Sequence, residues 1–209
     1  MIRQQFSIVM QRTVLELSGL SCLELEQLHS TRQQIVASRS FGQRITQLDD
    51  LKEALSRYVQ DAVSRLREQQ LLCGHLVVFA QSSPFKQGQD YYHPSLSYAL
   101  PEPTDNVLQI CKLAMTLLEQ LYKPNIAFKK CGVHLLDLTP KHSHCGDLFS
   151  DRQQIETGQQ LMHSLEQIQE KFGKNKLALG ASRLPQRKWH MAQGQISPNY
   201  FRWDQLLKV

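Results

Sequence analysis

Between Ile35 and Leu138 the apolar residues change their spacing in a fixed order: strand-like, helical, strand-like, strand-like, helical, strand-like. Ile35 to Thr46 (IVASRSFGQRIT) alternates and reads as a strand. Leu48 to Gln70 carries Leu51, Leu55, Tyr58, Val59, Ala62, Val63 and Leu66 on one helical face, with Asp49 and Asp50 near its start, where the helix dipole favours an acid. Leu72 to Gln81 reads as a strand, closed by the turn-like SSPFKQGQD. Tyr92 to Leu100 is another strand, ended by PEPTD. Pro103, Thr104 and Asp105 then open a helix to about Tyr122, and Ala127 to Leu138 is the last strand. The order β-α-β-β-α-β predicts an α+β fold of the split βαβ kind. In it, an antiparallel sheet is covered by two helices on one face and left free on the other.

The ends of the chain read differently. In residues 1–26, Ile2, Phe6, Val9, Met10, Thr13 and Leu17 recur at helical spacing before Gly19, which predicts one amphipathic helix. A lone helix cannot bury its apolar stripe, so its domain is expected to continue elsewhere. Residues 27–34 are polar and read as a linker. Residues 139–157 read as a polar loop. A helix is expected from about Gly158 to Phe172, followed by a small α/irregular region to residue 209.

Composition removes several classes. The chain is 41% hydrophobic and 21% charged, in the range of globular proteins. It has no apolar run of about 18 residues to span a membrane and no signal pattern, so a cytoplasmic location is expected. The five cysteines form no C-x-x-C pair and are expected to be reduced and mostly buried. The formal charge is +5. From Lys171 to Arg202 there are seven Lys or Arg and no acid, which suits a polyanionic partner or a solvated basic face.

Three constellations could carry chemistry. Ser38, Arg39, Ser40, Gly42 and Arg44 lie along the first strand, and Lys129 and Lys130 on the last, which this topology brings close to it. Hydroxyls, guanidinium groups and accessible backbone N–H groups make phosphate contacts that position a protein on a duplex. The same residues also suit an ordinary polar sheet face. His142, His144 and Cys145, with His134 nearby, match none of the common zinc spacings and read as a loop. Trp189, Tyr200, Phe201 and Trp203 sit in or beside the basic stretch, where they could stack on single-stranded bases, form a small core or anchor an interface.

SRSFGQRIT before a long amphipathic helix, then SSPF and a Tyr-Tyr strand, resembles the little-finger domain of Y-family translesion polymerases. More closely it resembles the UmuC family, the catalytic subunit of bacterial DNA polymerase V. IRQQFSIVMQRTVLELSG with CLELE resembles the end of that family's thumb. WHMAQGQISPNYFRWDQLL resembles its C-terminal region. The resemblance runs over essentially the whole chain. It implies residues 1–26 as a thumb remnant, 35–138 as a DNA-binding little finger and 158–209 as a partner-binding region. Ser38, Arg39, Ser40 and Arg44 would grip phosphates.

The palm motifs, which hold magnesium in the full polymerase, would precede Met1, so this chain alone is expected to need no cofactor and to be inactive. Expected partners are damaged or primed DNA, the UmuD-type accessory dimer and the RecA filament, with Trp189, Met191, Tyr200, Phe201 and Trp203 contacting proteins. The family's clamp peptide, Gln-Leu-x-Leu-Phe, aligns with Cys145-Gly146-Asp147-Leu148-Phe149. Leu148 and Phe149 keep the anchor. Cys145 replaces the amide, so a weak sliding-clamp contact is implied. The competing reading is a protein-interaction module that regulates a full polymerase or its accessory subunit.

Overall fold

The computed structural model describes residues 6–22, 33–85, 91–144 and 152–173. The chain divides into two compact units, residues 1–32 and 33–209. In the first, α1 spans Ile8–Leu17. The Ser7 side chain accepts from Met10 N–H at its start. At its end Gly19 takes φ +85°, with Leu20 N–H reaching Leu15 O at 2.9 Å and Gly19 N–H reaching Glu16 O at 3.0 Å. This pair of bonds is a Schellman close, which needs the left-handed conformation that glycine adopts without strain. None of the residues of α1 is buried, and Val9 and Leu17 are 68% and 84% exposed.

In the second unit the elements are β1 (Gln34–Ile45), α2 (Leu48–Glu68), β2 (Leu71–Ser82), β3 (Ser95–Thr104), α3 (Val107–Leu121), β4 (Phe128–Pro140), a 3-10 turn (Lys141–Ser143) and α4 (Arg152–Phe172). The four strands form one antiparallel sheet in the order β1-β4-β2-β3. Helices α2 and α3 cover one face. The seven apolar positions read from the α2 period are all buried, and they pack with Ile35, Ala37, Leu76, Val78, Cys131, Val133 and Leu135 of the sheet and Ile110, Ala114 and Leu118 of α3. Asp49 and Asp50 occupy the first turn of α2.

Several boundaries differ from the sequence expectation. β3 begins at Ser95 and runs through Pro101 and Pro103 to Thr104. It can do so because it is an edge strand with a wide bulge. Ala99 pairs with His75 and Thr104 with Cys73, so five steps along β3 match two along β2, and the missing proline N–H groups are not called upon. Asn106 caps α3, its Oδ1 accepting from Leu108 N–H at 3.0 Å. Asp105 is drawn instead to Arg67 and Lys141, each 2.6 Å from its Oδ2. β4 continues to Pro140, and α4 starts at Arg152, well ahead of Gly158.

Candidate nucleic-acid interface

The face of the sheet away from the helices follows from strand alternation and the pairing register. Ser40 lies opposite Lys130, which faces Gln81 on its other side. In the next row Ser38, Gly132, Phe79 and Ser95 stand abreast, and after it Val36, His134, Val77 and Ser97. Small and hydroxylated side chains therefore line the two edges. The middle strands carry an aromatic, a lysine and a histidine.

Phe79 organises the middle. It is 7% exposed although it lies outside the main core. Its ring meets His134 edge-on at 5.2 Å between centroids, and the Lys130 ammonium stands 5.7 Å over it. His93 is 6.2 Å away and stacks on Tyr91 at 5.7 Å. Burial, and then the Lys130 charge, hold His134 below the ordinary histidine range, which keeps it neutral at pH 7. Gly132 lies beneath the Phe79 ring, where a Cβ would come within 2.8 Å of Cζ. The sequence pattern does not single out Phe79 or Gly132 as site residues, and it places His134 only beside the histidines of the following loop. Leu72 to Gln81 is an almost unbroken apolar run, and such a run does not say which residues face the helices.

The expected phosphate-contacting residues part into three groups. Ser38, Ser40 and Lys130 come together on the open face. Arg39 does not join them, because the alternation that gives the serines to that face gives Arg39 to the row of Ile35, Ala37 and Phe41. It pairs with buried Cys131, and its charge acts on Tyr58 of α2. Its side chain is exposed at the edge of the sheet. Arg44 lies within a break in register, where five steps along β1 (Ser40 to Ile45) match two along β4 (Lys130 to Phe128). It is exposed as the neighbour of buried Ile45. Lys129 sits at that break, and its amine donates to the main-chain carbonyl of Phe41. The outer edge of β1 is partly covered, since Arg65 of α2 donates to Val36 O at 3.2 Å.

The thiols of Cys73, Cys111 and Cys131 are buried, and burial raises the pKa of each, which suits packing and not nucleophilic chemistry. His144 approaches Glu102 at 3.7 Å. Among the described residues no three His, Cys, Asp or Glu side chains gather as a metal site. No described helix is long and apolar enough to cross a membrane. Cys145, Leu148 and Phe149 lie outside the described residues, as do Trp189, Met191, Tyr200, Phe201 and Trp203.

A split βαβ sheet with one helical face and one open, polar-edged face defines an α+β module built to present a surface. The chain belongs to the impB/mucB/samB family, whose C-terminal domain matches residues 32–148. Residues 159–209 match a domain of unknown function, DUF4113. The chain is 33% identical over 209 residues to Protein UmuC of Salmonella typhimurium (strain LT2), covering 100% of this chain and 49% of that protein. It is 36% identical over 203 residues to Protein SamB of Salmonella typhimurium, covering 97% and 47%. To Protein ImpB of Salmonella typhimurium it is 34% identical over 199 residues, covering 95% and 46%.

The chain thus spans about half the length of the curated relatives it matches, and corresponds to their C-terminal part. Among solved structures it is similar to the little finger domain of PolIV in its complex with the beta-clamp processivity factor. The identity there is 14% and the TM-score 0.40, covering 56% of this chain and 99% of that one.

Proposed function

We propose that this chain is the DNA-binding C-terminal portion of an error-prone Y-family polymerase acting in SOS repair and mutagenesis, with the magnesium-binding catalytic carboxylates supplied from outside it. The observation that supports this reading most is the open sheet face, where Ser38, Ser40 and Lys130 meet at one end of a surface left bare by both helices. A hydroxyl and a lysine presented from a rigid sheet can hold backbone phosphates in a fixed register without reading bases. Arg39 and Arg44, exposed at the edge and end of β1, extend the positive surface along it.

In the same reading the segment after α4 contacts the UmuD-type accessory dimer and the RecA filament, and Leu148 and Phe149 make a weak sliding-clamp contact. Fluorescence anisotropy with duplex and primed DNA over a range of salt tests the central claim. Phosphate binding falls linearly in log affinity against log salt, with a slope of roughly −0.9 per phosphate neutralised. No binding, or affinity indifferent to salt, would favour the protein-interaction module instead.

A further inference from the structure

Helix α4 is held to the sheet domain by a narrow stripe. Of its side chains from Glu156 onward, Met162 alone is buried, at 2% exposed, while Leu165, Glu166 and Gln169 are half-buried. These positions lie on one helical face. Gly158, one turn earlier on that face, passes so close to α3 that a Cβ there would stand 3.0 Å from Asn106 Nδ2. Beneath the helix a cavity remains between Val63, Arg67, Val107, Met162 and Leu165. The packing is therefore one methionine set in the groove between α2 and the start of α3, beside an unfilled space.

The polar half of the contact is arranged unusually. The Arg67 guanidinium binds two acids at once, Asp105 through Nη1 at 2.6 Å and Glu166 through Nε. Asp105, buried at 6% exposed, also takes the Lys141 ammonium at 2.6 Å. Removing a partner from a buried ion pair is costly because a charge is left stranded. Here that cost is avoided. If Glu166 withdraws, Arg67 keeps Asp105, and Asp105 keeps both cations. Glu166 itself, 39% exposed, already stands partly in water.

We propose that α4 is a displaceable latch: it docks through Met162 and Glu166 and can leave as a unit while Arg67, Asp105 and Lys141 stay paired. Release opens the groove between α2 and α3. Since α4 leads directly into residues 174–209, the latch sets whether the helix that carries that basic, aromatic stretch is docked on the sheet domain or released from it. The proposal stands whether or not the open face binds DNA.

Amide hydrogen exchange on the intact 209-residue chain tests it, comparing the wild type with Glu166→Gln and with Glu170→Gln, an exposed control on the same helix. Breaking a partly exposed ion pair changes an equilibrium by a factor of about two to five. Glu166→Gln should therefore speed exchange across α4 by that factor, leave β2 and β4 unchanged, and be matched by raised salt in the wild type. Glu170→Gln should do neither. If α4 amides exchange only together with the strands, or ignore Glu166→Gln, α4 is an integral part of the fold and the latch is refuted.

Discussion

The ring of Phe79 lies over Gly132 so closely that a Cβ at position 132 would stand 2.8 Å from Phe79 Cζ and 2.3 Å from Ser38 Cβ. Neither neighbour can give way cheaply, since one is a nearly buried aromatic and the other is part of the adjacent strand. Gly132→Ala is expected to destabilise the domain by about 1–3 kcal/mol, as overpacking does. The urea midpoint should fall with an unchanged slope, and trimming Phe79 to Leu in the same chain should recover part of the loss. A midpoint equal to wild type would show that the sheet yields there.

Arg39→Ala, Arg44→Ala and Lys130→Ala are each expected to lower the salt slope of DNA binding by about one, by similar factors on unrelated sequences. Lys129→Ala should behave otherwise. Its amine is engaged with the Phe41 carbonyl, so the loss should show in the unfolding midpoint, with the salt slope nearly intact. Dependence of any of these losses on base sequence would mean that the residue reads bases.

Docking of α4 should depend on pH through Glu166. A hydrogen bond from Arg67 holds its pKa below the ordinary glutamate value, against a smaller opposing effect of burial, with Lys141 and His163 adding to the depression and Asp105 sharing Arg67. A depressed carboxylate contributes fully above its unfolded value and loses that contribution as pH falls through its folded one. Protection of α4 amides, corrected for intrinsic exchange, should be flat from pH 7 to about 5 and fall below about pH 4. In Glu166→Gln that acid-side loss should be absent.

A sliding-clamp contact should rest on Leu148 and Phe149. Pull-down by the clamp is expected to be weak, to strengthen in Cys145→Gln, which restores an amide for the clamp's polar groups, and to vanish in Phe149→Ala. Equal capture by the wild type and Cys145→Gln would show that this stretch is not a clamp peptide.

Two truncations separate the tail from the domain. Residues 1–173 should bind DNA within a few-fold of the whole chain yet fail to capture the accessory dimer. Residues 1–157 end before Met162, which belongs to the buried core, and should be less stable, because removing a buried Met side chain forfeits about 1.5–3 kcal/mol. Loss of DNA binding in a folded 1–173 would make the tail a DNA element.

The order of strands and helices was legible because each element's apolar period is set locally. The buried face of α2, Leu51 through Leu66, could be read off its spacing, as could Asp49 and Asp50 in its first turn. The nearness of β1 to β4 followed from the topology, and the register then set Ser40 against Lys130. Alternation also separates Ser38 and Ser40 from Arg39, but which side is open depends on where the helices pack.

The rest was decided by contacts between residues far apart in the chain. Pro101 and Pro103 stay in β3 because it is an edge strand that can bulge. Phe79 turned to the open face because Gly132, 53 positions away, leaves room for its ring. Asp105 left the helix start to its neighbour Asn106 because Arg67 and Lys141 converge on its carboxylate. A local pattern determines which secondary structure a segment prefers and which of its sides is apolar. Which neighbour satisfies a charge or accommodates a ring depends on the tertiary structure, because burial and hydrogen-bond geometry exist only once the elements have packed.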